Sequence, residues 1–266
     1  MQNYFSQMSK TKQVLLKMTL VGVFSALSYV GVFIRIPVPS PLGQPMIHLG
    51  NLVVILVALF FDGWIGGLSG SIGMGLYDCI AGYDIWSIMR TIILKLVMGV
   101  IVGCLYRYLL KKRVNKISYY AMGIGFVFLL VGLIFLGIAI SSQGVWHIET
   151  IQKQVDIHWP VYVLSIIIGL FLTITPLYQK KCSYALQVVN FVTSLAIGVN
   201  LLGEFIYKFI KQWTLGGTPF VGSLYVALAS IPATLLNGIL TLTIVLFIYL
   251  PIQKSLFPQE NSLNEN

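Results

Sequence analysis

Residues 48–103 are almost unbroken apolar sequence, and that stretch limits the fold more than any other part of the chain. Two short apolar segments meet at a tight Asp62-Gly63 turn, and the second carries Gly63, Gly66, Gly67, Gly70, Gly73 and Gly75. A polar, aromatic loop follows, from Tyr77-Asp78 to Asp84-Ile85-Trp86. A third apolar segment then begins with Arg90 and Lys95 near its start. Glycine destabilises a helix in water by ~1 kcal/mol relative to alanine. In a bilayer it is frequent, because it lets neighbouring backbones approach closely. The pattern predicts a tight helical bundle in lipid with a polar cluster at one membrane face.

The same character runs to the C-terminus. Of the 266 residues, 57% are hydrophobic and 9% charged, against about 25% charged in a soluble domain. The fold class is an all-α polytopic membrane protein, with no polar stretch long enough to form a soluble domain. The net charge of +9 lies mainly in short loops, which points to membrane topology and not to nucleic acid. Cys79, Cys104 and Cys182 show no metal-binding spacing and read as small packing residues in membrane helices. The polar N-terminus is followed by an apolar run without a small-residue cleavage site, so no removable signal peptide is expected.

Apolar runs predict eight spans, at 14–34, 48–60, 64–81, 88–110, 119–140, 159–178, 184–206 and 220–250. The last is expected to break or tilt near Pro232. Prolines stiffen the 35–45 loop and block helix continuation there. Residues 1–13 form a basic leader and 253–266 a polar tail. Eight spans put both termini on one side. The basic residues of the leader, of 111–116, of Lys180-Lys181 and Lys254 share that side, and the positive-inside rule makes it cytoplasmic. Arg35, Lys153, Lys208 and Lys211 fall opposite and weaken the bias without reversing it. The loops 35–45, 83–86, 141–158 and 208–217 are then external. No repeat of about 20–50 residues is visible, which counts against an inverted-repeat transporter.

Ionisable groups in spans are costly and usually face a cavity or one another. Here they gather at the external ends of the spans: Gln44, His48 and Asn51, then Tyr77 to Lys95, then Asn200 and Glu204, then Asn237. Aromatic rings there suit stacking on a flat molecule, and amides and charges suit fixing its edge. The residues assigned to substrate binding are Asn51, Tyr77, Asp78, Tyr83, Trp86, Arg90, Lys95 and Asn237. Asn51 and Asn237 would hydrogen-bond ring edges, and Tyr83 and Trp86 would stack. Arg90 or Lys95 would pair with an anionic group, or with Asp78 or Asp84. Plainer roles stand beside these. Tyr83 and Trp86 suit an interfacial belt, Arg90 suits snorkelling to the surface, and Lys95 suits a structural ion pair with Asp78 or Asp84. Asp62 is expected to cap the third helix. Gly22 and Ala26 form a small-residue stripe for packing inside the bundle or for docking a partner subunit.

HExxH, GxSxG, Walker A and paired-carboxylate patterns are absent, and the three histidines are isolated. No catalytic group, metal or cofactor is expected. ATP-driven work would need a separate motor.

These features resemble the substrate-binding S components of energy-coupling factor (ECF) transporters, and within them the riboflavin-type S-component family. The resemblance lies in His48-Leu49-Gly50-Asn51 opening an apolar run, in the following turn and its glycines, and in Ala81-Gly82-Tyr83-Asp84-Ile85-Trp86. Ile93-Leu94-Lys95-Leu96-Val97-Met98-Gly99 completes it, and Gly22xxxAla26 lies where the family has an AxxxA-type docking motif. It covers residues 14–110 and, as two final helices, 183–250. The resemblance implies a six-helix bundle, with core helices 1–4 in 14–110 and core helices 5–6 in 183–252. Residues 111–182 then hold an inserted transmembrane hairpin, with its spans at about 119–178. Met89-Arg90 departs from the family, which often has a proline-containing segment after the Trp.

The resemblance further implies a multi-pass subunit in the cell membrane of a prokaryote, with both termini cytoplasmic. It would capture a vitamin or vitamin precursor outside the cell, riboflavin or another B-type vitamin, and loops would close over it. It would then topple while docked through Gly22 and Ala26 on a transmembrane coupling subunit, and two cytoplasmic ATPase subunits would drive release. One alternative is a stand-alone secondary transporter, marked by uptake into liposomes without ATPase partners. Another is a membrane-embedded enzyme, which would need more than Asp78, Asp84, Glu204 and scattered histidines.

Overall fold

The computed structural model describes residues 8–37, 46–114, 116–141, 145–148, 153–156 and 183–256, with isolated positions between 163 and 174. Helix α1 covers Lys10–Phe33, α2 Gly50–Phe60, α3 Gly63–Ile80 and α4 Ile85–Lys112. After these come α5 (Ile117–Ser141), α6 (Tyr184–Thr214), α7 (Phe220–Ala229) and α8 (Ile231–Leu256). Two antiparallel hairpins join β1 (Arg35–Pro37) to β2 (Met46–His48) and β3 (Val145–Ile148) to β4 (Lys153–Asp156). The second hairpin lies within the stretch expected to be a polar loop.

The protein is an all-α polytopic membrane protein. Among the described residues, five stretches are long and apolar enough to cross a bilayer: Lys10–Phe33, Ile85–Lys112, Ile117–Ile134, Tyr184–Thr214 and Phe220–Tyr249. Helix α2 is apolar but short. Helix α3, at 18 residues, reaches roughly 27 Å, and its glycines dilute its apolar character. The expected span at 159–178 lies outside the described residues except for isolated positions, and positions 38–45 of the proline-rich loop lie wholly outside them.

Two boundaries differ from the sequence expectation. Helix α1 begins at Lys10, inside the expected leader, where the Ser9 side chain accepts from the Lys12 amide. Helix α6 does not stop at residue 206 but continues to Thr214. Its last two turns carry charges that face inward, so they read as loop in the sequence and fold as helix. The expected break in the last span is present: α7 and α8 are separated at Ser230, whose hydroxyl donates to the Ala227 carbonyl at 2.7 Å.

Helix α3 is the hub, packed on α1, α2 and α4. Gly63, Gly66, Gly67 and Gly73 of this helix face backbone of its neighbours. A Cβ built on Gly99 of α4 would lie 2.2 Å from the Gly67 nitrogen, and one on Gly73 would lie 2.2 Å from the Ser25 carbonyl oxygen of α1. Such separations leave no room for a side chain, so α1, α3 and α4 meet nearly backbone to backbone. The apolar core lies beneath this layer. Val54 and Ile55 of α2, Val102 of α4, Val188 and Val192 of α6 and Ile239 of α8 are fully buried within it.

At one end of the bundle the α2–α3 turn is pinned. Asp62 caps α3 as expected, accepting from the Trp64 amide at 2.9 Å. Arg107 of α4 reaches Asp62 at 3.2 Å and donates to the Phe61 carbonyl at 2.7 Å. The apolar outer face of α1, including Val23, Leu27 and Val30, is exposed, as a lipid-facing helix requires. The polar residues collect at the opposite end.

Candidate ligand-binding site

The loop between α3 and α4 sets the site. The chain turns through Gly82 in the left-handed region (φ 76°), where a residue lacking Cβ carries little strain. Asp84 then caps α4. Its Oδ1 accepts from the Ser87 amide at 3.2 Å and its Oδ2 from the Ser87 hydroxyl at 2.6 Å. This cap fixes the rotation of α4 about its axis. Ser87, Thr91 and Lys95, spaced by four, then fall on the inner face. Trp86, Met89 and Ile93 fall on the outer face and are exposed.

Helix α6 answers with a second polar stripe, Asn200, Glu204, Tyr207, Lys208 and Lys211. The two stripes are cross-linked rung by rung. Lys95 Nζ donates to Asn200 Oδ1 at 2.9 Å. Arg90 pairs with Glu204 at 2.9 Å and lies over the Tyr207 ring. The Ser87 and Tyr207 hydroxyls share a hydrogen bond of 2.8 Å. Lys211 Nζ reaches Asp84 Oδ2 at 2.5 Å. On α3, Asp78 Oδ2 accepts from the Thr91 hydroxyl at 2.5 Å, and Thr91 Oγ1 in turn accepts from Arg90 at 3.2 Å.

The remaining walls come from α1, α2, β2 and α8. The Leu49 amide donates to the Gly31 carbonyl at 3.0 Å, tying the start of α2 to the end of α1. The His48 amide donates to Asn237 Oδ1 at 3.3 Å, which fastens β2 to α8. His48 Nδ1 accepts from the Gly50 amide at 3.1 Å. Arg35 donates to the Tyr77 hydroxyl, and the Tyr77 ring stands edge-on to Phe33.

Together these elements enclose a cavity of about 230 Å³. Of the residues assigned from sequence, Asn51, Tyr77, Asp78, Tyr83, Arg90, Lys95 and Asn237 line it. Trp86 does not. It is 60% exposed on the outer face of α4, turned away by the register that the Asp84 cap imposes, so it is not placed to stack on anything in the cavity. The expected pairing of Arg90 or Lys95 with Asp78 or Asp84 is also corrected. Arg90 pairs with Glu204, Lys95 meets the Asn200 amide, and Asp84 takes Lys211. The cause is the face of α6 that meets α4, which brings Asn200 and Glu204 from within the expected span and Lys211 from its extension.

Lys208, Lys211 and Tyr207 were not among the residues assigned from sequence, and they line the cavity with Ser87 and Thr91. The signal for the α6 residues was their spacing: Asn200, Glu204, Lys208 and Lys211 keep to one helical face. Among the described residues, no cluster of three or more His, Cys, Asp or Glu is placed to hold a metal ion.

Asp84 lies between helices, outside the spans. Partial burial works to raise its pKa, but hydrogen bonds from Lys211 and Ser87 outweigh burial and hold it down, to about 2. It is a carboxylate at every physiological pH. Tyr83, in the same loop, is raised above the ordinary phenol value, by burial first and then by the Asp78 charge. It is therefore a neutral hydroxyl, able to donate.

A family model described as "ECF-type riboflavin transporter, S component" matches residues 12–155, more than half of the chain. The match takes in α1 to α5 and stops before α6 and α8. A protein of Pyrococcus woesei described as "Uncharacterized protein in gap 3'region" is 36% identical over 78 residues, which make up 29% of this chain and 50% of that protein. The aligned part thus spans about half the length of that curated relative. No solved structure matches.

Proposed function

The chain belongs to the family of S components of ECF-type riboflavin transporters, and from that premise we propose that its cavity captures a vitamin or vitamin precursor from outside the cell. One observation carries the reading. Polar side chains from α2, α3, α4, α6 and α8, far apart in sequence, converge on a single cavity at one end of an apolar bundle. A membrane protein bears the cost of such groups in the bilayer where they serve a ligand or an ion. Asn51 and Tyr83 offer hydrogen bonds, Tyr77 offers an aromatic wall, and the α4 and α6 stripes supply charge.

The end bearing the cavity is external in this reading, and the end bearing the Asp62–Arg107 pair is cytoplasmic, with both termini. Residues 14–110 and 183–252 form the S-component core, and 111–182 an inserted hairpin. Delivery depends on a transmembrane coupling subunit and two cytoplasmic ATPase subunits, since the chain has no Walker A motif. Docking uses α1, where Gly22 and Ala26 are both exposed. A Cβ built on Gly22 would meet nothing within 4 Å.

Native mass spectrometry of the gently purified chain tests the capture step. The expected result is a retained mass, or one acquired from a vitamin panel, that is weakened by Asn51→Ala and by Lys95→Ala while both variants still insert. Unchanged affinity in both variants would remove this cavity from consideration. Uptake by the chain alone in liposomes would favour a secondary transporter.

A further inference from the structure

The charges on the cavity wall do not balance locally. Asp84 pairs with Lys211 and Glu204 with Arg90, while Asp78 accepts from the neutral Thr91 hydroxyl. Four cations on the wall, Arg90, Lys95, Lys208 and Lys211, thus stand against three carboxylates, Asp78, Asp84 and Glu204, and two of the cations have no ion pair among the described residues. Lys95, 5% exposed, meets among the described residues only the neutral amide oxygen of Asn200. Lys208, 8% exposed, lines the cavity and has no hydrogen-bond or ion-pair partner among the described residues. Beside them Asn51 Oδ1 is buried with no donor among the described residues. A buried ammonium without a direct ion pair is costly in protein and more so at membrane depth, and a buried acceptor left unmade adds to the cost. Three unmet groups on one cavity define what should fill it.

We infer that the ligand is an anion, a molecule bearing a carboxylate or phosphate that sits against Lys208 and Lys95, with an N–H or O–H turned to Asn51 Oδ1. This rests on the reading of the cavity as a vitamin site and adds the charge of the vitamin. An uncharged ligand such as riboflavin would leave both ammonium groups without a direct ion pair and the wall with one positive charge in excess. Lys208, Asn200 and Glu204 stand on α6, outside the residues matched by the family, so this wall is free to differ from that of a flavin-binding relative.

The test uses pairs of probes that differ in charge at one group: riboflavin 5′-phosphate against riboflavin, pantothenate against panthenol, and biotin against biotinamide. Binding to the purified full chain is measured by titration calorimetry. The expected result is that the anionic member of the bound pair binds more tightly, on the order of tenfold, as a charge-assisted contact provides. Lys208→Gln should erase that preference, and Lys95→Gln should reduce it. Removing an unpartnered buried charge should not lower the thermal stability of the unliganded protein, so loss of preference in Lys208→Gln is not a folding defect. Equal or tighter binding of the neutral members, or a preference that survives Lys208→Gln, overturns the anion while leaving vitamin capture standing. If no member of any pair binds to folded protein, both readings fall together.

Discussion

Arg90 and Glu204 form the best-shielded ion pair on the cavity wall, with side chains only 18% and 15% exposed. Removing one partner of such a pair leaves the other charge stranded, at a cost of roughly 3 kcal/mol or more. Glu204→Gln should therefore lower the thermal unfolding temperature clearly, and adding Arg90→Gln should recover much of the loss. If the double variant is no more stable than Glu204→Gln, the pair is not what stabilises this wall. The Asp84–Lys211 contact differs because it is more exposed, and pH probes it more directly than deletion. Folding lowers the Asp84 pKa from 3.8 to about 2. The folded state then binds fewer protons than the unfolded one between those values. Stability from Asp84 is complete above the unfolded pKa and is lost as pH falls through that window. An acid titration followed by circular dichroism should show a steeper loss there for the parent chain than for Asp84→Asn.

Helix α3 is sensitive on three sides, because its glycines set the distance to its neighbours. Gly99→Ala puts a methyl group 2.2 Å from the Gly67 nitrogen, so α3 and α4 must separate. Overpacking of this kind costs about 1–3 kcal/mol. The same change at Gly22 meets open space and should not lower stability, since alanine is the better helix former. Comparing unfolding temperatures of the two variants separates packing glycines from surface ones. The glycine spacing of α3 and the polar loop before α4 were legible in the sequence because each is a local pattern with a local cause. Asp62 read correctly as a cap for the same reason. The end of α6 did not. Lys208 and Lys211 are charged, and charge after an apolar run reads as the end of a span unless a facing wall is known. That wall is α4, more than 90 positions away in the chain. The partner of Arg90 was hidden likewise, since nothing local distinguishes Glu204 from Asp78 or Asp84 as its counter-charge. Trp86 failed differently: its side is decided by the Asp84 cap, and a shift of one residue would have turned it inward.

At the scale of the molecule, the cavity and the exposed stripe of α1 are separate structures. The cavity is walled mainly by α2, α3, α4, α6 and α8, whereas Gly22 and Ala26 are exposed on α1 and do not line it. If capture and delivery use these two surfaces, a change on one should spare the other. Gly22→Trp adds bulk where the built Cβ meets nothing, so it should not disturb the bundle or ligand affinity. It should prevent a coupling subunit from approaching closely, because small-residue stripes act by letting backbones meet. In cells that also express a coupling subunit and its two ATPases, the expected outcome is normal ligand binding by the purified variant with uptake reduced to background. Lys95→Ala should give the reverse order of defects, losing binding first and uptake as a consequence. Normal uptake by Gly22→Trp would mean that docking uses another face. The exposed outer surface of α5, within the stretch read as an inserted hairpin, would then be the next surface to alter.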